Sequence, residues 1–240
     1  MSVSVSAPEL WVIDLGEMPY RQALELQRAT ARARISGGNP EDLLLLVEHP
    51  PVVTLGRGSK AAHLTTPPPV LAARGVDLLE IERGGDVTFH GPGQLVGYPI
   101  IDLKRHRQDL HWYLRQVEEA LIRALAAFGI AAGRVAGYTG VWTAGGGRKI
   151  ASIGVHARDW VTWHGFALNV ATDLSYFGLI VPCGITGVDM TSMARELGQA
   201  PDMHAVRRAV AAAFGEVFGL GAREVGPELV AVEPPTAAAG

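Results

Sequence analysis

One stretch limits what this chain can become: Arg83-Gly84-Gly85-Asp86-Val87-Thr88-Phe89-His90-Gly91-Pro92-Gly93-Gln94. It is too rich in glycine for a strand interior and too polar for core, and the residues after it are too apolar for a linker. Glycine is tolerated where φ is positive or where something must approach the backbone closely. The runs on either side, residues 78–82 and 95–101, read as strands. The segment is therefore expected to be a binding loop held between two strands. Two further polar islands come later in the chain, Arg148-Lys149-Ile150-Ala151-Ser152-Ile153-Gly154 and Val181-Pro182-Cys183-Gly184-Ile185.

The rest of the chain is read around that loop. Residues 9–15 alternate as a first strand, with Trp11, Ile13 and Leu15 on one face. Pro19 suits a helix start; Tyr20, Ala23, Leu24, Gln27 and Ala31 recur at helical spacing until Gly37-Gly38. Residues 43–47 form a continuous apolar run of strand length, the mark of a strand covered on both faces, and residues 52–55 a short strand after Pro50-Pro51. Pro67-Pro68-Pro69 is expected to be a stiff surface connection. Asp109 can cap a helix with the stripe Leu110, Tyr113, Leu114, Val117, Leu121, Leu125 and Phe128, ended by Gly129.

The second half is β-rich, with strands near 139–143, 149–156 and 161–170 joined by turns at Gly145-Gly146-Gly147 and Arg158-Asp159. Short turns between successive strands imply an antiparallel meander. Two last helices are expected near 192–197 and 202–218. The absence of regular βαβ alternation argues against Rossmann and TIM architectures. The reading is one α/β (α+β) domain over residues 8–226, on a mixed, largely antiparallel sheet with flanking helices. Residues 1–7 and the Pro/Ala/Gly-rich residues 227–240 are expected to be disordered tails.

Composition narrows the function. The 240 residues carry a formal net charge of −3, against the basic stripe that nucleic-acid binding needs. No apolar run approaches the ~20 residues of a membrane span, and residues 1–7 lack a secretory pattern. A single cysteine excludes an internal disulfide framework. The reading is a soluble cytoplasmic protein without nucleic-acid or membrane partners.

Cys183 is that cysteine. Most free cysteines are small buried hydrophobes, but Pro182 and Gly184 make a rigid, approachable corner around this one. Lys149 is one of three lysines against eighteen arginines. Its bland reading is an exposed residue at a strand end; its chemical reading is a cation that favours the Cys183 thiolate, or a neutral amine that takes its proton. A Cys/Lys pair does nucleophilic and acid/base work without a metal. A Cys/His pair is the commoner arrangement, and His90 and His164 both stand beside glycines. His164 is read as bracing a loop, and His90 as either bracing its loop or positioning substrate. No metal-ligand spacing is present, and Gly91 and Gly93 precede a strand rather than the helix a phosphate loop requires.

Three blocks together resemble the lipoyl(octanoyl) transferase family. They are Arg83-Gly84-Gly85 through Tyr98-Pro99; Lys149 to Gly154 with His164-Gly165-Phe166-Ala167-Leu168-Asn169; and Pro182-Cys183-Gly184-Ile185. Leu44-Leu45-Leu46-Val47-Glu48-His49-Pro50 adds the family's early strand, and the order holds from Trp11 to Phe218. Ser152 stands where many members have alanine.

The resemblance implies the catalytic fold shared with biotin and lipoate protein ligases. It implies transfer of an octanoyl group from octanoyl-acyl-carrier protein to a lysine of lipoyl domains, the first step of endogenous protein lipoylation. The acceptors would be 2-oxoacid dehydrogenase complexes and the glycine cleavage H protein. Cys183 would be the nucleophile and thioester carrier, and Lys149 its acid/base partner. Arg83, Gly84, Gly85, Asp86, Val87, Thr88, Phe89 and His90, with Ser152, Ile153, Gly154, Gly165, Phe166 and Ala167, would line the acyl pocket. No cofactor is required. The alternatives are an ATP-dependent lipoate or biotin ligase on the same fold, a non-catalytic acyl- or carrier-binding protein, and a Cys/His hydrolase.

Overall fold

The computed structural model describes residues 8–38, 41–143, 147–182 and 187–230. The chain opens with β1 (Glu9–Glu17), α1 (Tyr20–Ile35), β2 (Asp42–Glu48) and β3 (Val52–Leu55). Next come α2 (Pro68–Ala73), β4 (Asp77–Glu80), β5 (Val87–His90), β6 (Gln94–Ile100) and α3 (Leu110–Ala126). The second half runs β7 (Ala132–Gly133), β8 (Val141–Thr143), β9 (Arg148–Arg158), β10 (Val161–Asn169), β11 (Asp189–Met190), α4 (Met193–Leu197), α5 (Met203–Phe218) and β12 (Gly221–Glu224).

The large sheet has the order β12-β1-β2-β6-β10-β9-β8-β7, with β11 pairing beside β9. The β1 pairs with β12 and β2 are parallel, as is β11 with β9; the ladders from β2 through β6, β10, β9, β8 and β7 are antiparallel. This is the mixed, largely antiparallel sheet expected. A second sheet, β4-β3-β5, stands apart from it.

Period-two alternation explains the apolar run in β2. Leu44 and Leu46 face a core with Val117, Leu121 and Phe214 of α3 and α5, while Leu43, Leu45 and Val47 face Ala23, Leu24 and Ala31 of α1. Helices thus cover both faces. Full burial of Val117, Leu121 and Leu125 fixes α3, at roughly 1.5–3 kcal/mol per side chain. The Asp109 carboxylate accepts from the Trp112 amide at 3.0 Å, and Gly129 takes φ +75° just past the helix end, as the sequence predicts. The β9–β10 hairpin turns on Asp159 and Trp160, both at positive φ, a geometry that matches the twist of the flanking strands.

Three expectations are corrected. The glycine-rich segment is not a bare loop: Val87–His90 is a strand, because Val87 and Phe89 bury against Val53, Leu71 and Phe177 beneath the small sheet. Pro67-Pro68-Pro69 is not an extended connection, since Pro68 and Pro69 occupy the first turn of α2, where a missing N–H costs nothing. The boundary at residue 226 also falls short. Pro227–Leu229 forms a 3-10 turn that buries Val230 in the α1-side core.

Candidate active site

A cavity of about 330 Å³ lies where β5 of the small sheet meets β6, β10 and β9 of the large one, with Tyr20 of α1 over it. The ladder register gives it an axis. Val96, Ala167 and Ser152 form one row across β6, β10 and β9, and all three line the cavity. Gly165 pairs with Gly154 two register positions farther along. Lys149 and Gly154 both line it from β9, five residues apart, a span of about 17 Å at strand spacing.

Lys149 marks one end. Its side chain is 1% exposed, and its Nζ lies 4.9 Å from the centroid of the Trp142 ring. Gly140 gives it room: φ there is +137°, and a Cβ would meet Lys149 Cε at 2.8 Å. The Lys149 carbonyl accepts from the Thr191 amide at 2.9 Å, and Met190 pairs with Lys149 in the ladder.

His90, the last residue of β5, lines the same cavity. Its Nδ1 meets Gln94 Oε1 at 2.9 Å; Gln94 Nε2 donates to Asn169 Oδ1 at 2.9 Å and to the Phe89 carbonyl at 3.2 Å. Asn169 Nδ2 then donates to the Thr191 carbonyl at 3.0 Å, on the residue whose amide holds Lys149. A second chain runs from the Met18 carbonyl to His49 Nδ1 at 2.6 Å, and from His49 Nε2 to the Tyr98 hydroxyl at 2.7 Å. Tyr20 stacks on His90, ring centroids 5.4 Å apart.

Burial sets the charge state of these groups. It lowers His90 well below the ordinary histidine range, with the neighbouring His49 adding to the effect, and brings His49 down to about 4. It raises Tyr98 well above the ordinary phenol range. The cluster is neutral at pH 7.

Arg83 marks the other end. It is buried, donates from Nη2 to the Thr54 carbonyl at 2.8 Å and to Thr54 Oγ1 at 3.0 Å, and packs where a Cβ on Gly154 would meet its Cδ at 3.1 Å. His164 stands nearby at φ +54°, a strained value for a residue with a Cβ. Its amide donates to Gln27 Oε1 at 3.0 Å, while neither ring nitrogen makes a hydrogen bond among the described residues. Its Nε2 approaches Glu82 Oε1 at 3.6 Å. Burial raises Glu82, but contacts from His164, Arg28 and Trp163 outweigh that and hold the carboxylate far below its usual range. His164 thus stands in β10 with its amide held by Gln27, and it is among the residues that line the cavity.

The cavity gathers Arg83, Gly85, Asp86, Thr88, His90, Lys149, Ser152, Ile153, Gly154, Gly165, Phe166 and Ala167 from the sequence-derived set. Gly84, Val87 and Phe89 are not among the lining residues. Strand alternation turns Val87 and Phe89 into the core under the small sheet, and Gly84 ties the loop to β9 through its amide and the Val155 carbonyl at 2.8 Å. Cys183 lies outside the described residues, as does most of the expected 145–147 turn. Tyr20, Val96, Tyr98, Gly137, Tyr138, Thr139 and His164 were not assigned to the pocket from sequence. Tyr20 and Tyr98 looked like ordinary stripe residues of a helix and a strand.

The family described as lipoyl protein ligase A/B catalytic domain matches residues 19–215. A relative from Acidobacterium capsulatum, named octanoyltransferase, is 52% identical over 223 residues, covering 87% of this chain and 89% of that one. Another from Gloeobacter violaceus, with the same name, is 50% identical over 209 residues, covering 87% and 90%. Among solved structures, a bi-partite lipoate protein ligase from Thermoplasma acidophilum superposes with a TM-score of 0.73 at 20% identity, covering 91% of this chain and 87% of that one. A lipoate-protein ligase A bound with ATP gives 0.73 at 20%, covering 92% and 89%. At that identity the likeness speaks for the fold.

Proposed function

The chain belongs to the lipoyl protein ligase A/B catalytic domain family and is an octanoyltransferase, and we propose that it works through a thioester on Cys183. The donor in this reading is octanoyl-acyl-carrier protein, and the acceptor is a lysine of a lipoyl domain, in 2-oxoacid dehydrogenase complexes and the glycine cleavage H protein. The observation that carries it is Lys149, buried at one end of an elongated cavity and paired in the ladder with β11, the strand that comes soon after Cys183 in the chain.

The transfer takes two steps. Lys149 accepts the Cys183 proton as sulfur attacks the donor thioester, then returns it to the departing carrier thiol. The lipoyl-domain amine next attacks the acyl-enzyme, and Lys149 carries one of its protons to the Cys183 sulfur. Exchanging one thioester for another is nearly isoenergetic, and forming the amide is downhill, so no ATP enters. The octanoyl chain runs inward from Lys149 along β9, crossing the Val96, Ala167 and Ser152 row on its way toward Gly154 and Gly165. At about 0.8 kcal/mol per buried CH₂, that slot selects chain length by several kcal/mol. The reading places this exchange in the cytoplasm. No helix among the described residues is long and apolar enough to cross a membrane.

The test is transfer from octanoyl-acyl-carrier protein to a purified lipoyl domain with ATP omitted. One octanoyl group should appear on the domain, and none when Cys183→Ala replaces the wild-type protein. Transfer that needs ATP and free octanoate would favour the ligase alternative.

A further inference from the structure

The relay behind His90 fixes which of its nitrogens carries the proton. A backbone carbonyl only accepts, so the Thr191 oxygen must receive its hydrogen from Asn169 Nδ2. That leaves Asn169 Oδ1 to accept from Gln94 Nε2, a direction confirmed by the second Gln94 Nε2 bond to the Phe89 carbonyl. Gln94 therefore presents Oε1 to His90, and His90 Nδ1 is the donor. In the neutral ring that makes Nε2 an acceptor. Nε2 makes no hydrogen bond among the described residues, on a side chain that lines the same cavity as Lys149. Burial keeps the ring unprotonated, so this acceptor persists through the neutral range.

The second half of the reaction needs such an atom. A neutral amine brings two N–H bonds to the thioester. The C–N bond forms, the acyl C–S bond breaks, one amine proton leaves on sulfur by way of Lys149, and the other stays in the amide. The first half brings no substrate N–H to the site. We propose that His90 Nε2 accepts a hydrogen bond from the N–H that the product amide retains, aiming the acceptor lysine's lone pair at the thioester carbon. This rests on the acyl-enzyme reading above and assigns His90 to one half-reaction only.

The experiment separates the halves. Loading of the protein by octanoyl-acyl-carrier protein and discharge of the loaded protein to a lipoyl domain are timed in wild type, His90→Ala and His90→Gln. In His90→Ala, discharge should slow about 10²-fold more than loading, the loss expected when a reacting group is no longer held in its attack geometry. His90→Gln, whose side-chain oxygen can accept, should recover part of the loss. Equal slowing of both halves, or an unchanged discharge, would overturn the inference. Imidazole ¹⁵N spectra of the wild-type protein supply a second readout: the His90 proton should sit on Nδ1, and a proton on Nε2 would also overturn it. If wild type never loads, the thioester reading fails and this assignment of His90 fails with it; a wild type that loads, beside a His90→Ala that discharges at the wild-type rate, overturns the His90 inference alone.

Discussion

Gly165→Ala should damage this protein more than any exposed substitution, because of what the new methyl would strike. An added Cβ would lie 2.2 Å from the Gly97 carbonyl oxygen and 2.5 Å from Pro99 Cδ. Comfortable contact needs roughly 3.5 Å or more, so the deficit is about 1 Å. Neither obstacle is the end of a flexible side chain. Gly97 and Pro99 belong to β6, which is buried along its whole length and pairs with β10 from Gln94↔Asn169 to Gly97↔Phe166. Relief therefore requires the two central strands to part, which loosens ladder hydrogen bonds and opens the cavity wall together. Overpacking of this kind costs about 1–3 kcal/mol where side chains can give way, and here backbone must move, so about 3 kcal/mol is expected. Urea unfolding of Gly165→Ala against wild type measures it. Gly133→Ala is the control: nothing lies within 4 Å of its Cβ, and its φ is ordinary. Equal midpoints for Gly165→Ala and wild type would refute the argument that close backbone approach requires glycine here.

Other outcomes turn on single groups. His49 is fully buried with its folded pKa lowered from 6.5 to about 4, so its contribution to stability is complete above pH 6.5 and is lost as pH falls toward 4. The loss over that window is on the order of 3 kcal/mol. The slope of unfolding free energy between pH 7 and pH 5 should flatten in His49→Gln, and parallel slopes would contradict the assignment. Lys149→Met keeps the volume of a buried side chain, so the thermal midpoint should hold while transfer falls by about 10²–10⁴-fold; an unchanged steady-state rate would remove Lys149 from the chemistry. Asp109→Ala deletes the cap on the Trp112 amide and should cost about 1 kcal/mol by urea unfolding, with activity intact.

Patterning made much of this fold legible, and its limits are physical. The run Leu43-Leu44-Leu45-Leu46-Val47 announces a strand covered on both faces, and α3 announces its cap, stripe and stop. Strand β5 stayed hidden because Val87, Thr88, Phe89 and His90 are all buried, apolar on one side and polar on the other, between glycines that read as loop. The two-residue strands β7 and β11 carry no periodicity to detect. At the site, Lys149 and the glycines stood out through scarcity and spacing. Tyr20 and Tyr98 did not, since a residue facing a cavity and one facing core share the same stripe. The link from His90 to Thr191 joins residues 101 positions apart, and only the folded ladders bring them into one chain of hydrogen bonds.

The most direct test of a sulfur-borne acyl group is the mass of the protein itself, quenched in acid after mixing with octanoyl-acyl-carrier protein and no acceptor. Wild type should gain one octanoyl group that neutral hydroxylamine removes, and Cys183→Ala should gain none. A wild-type protein that transfers octanoyl groups yet never gains that mass, or a Cys183→Ala protein that gains it, would contradict the account.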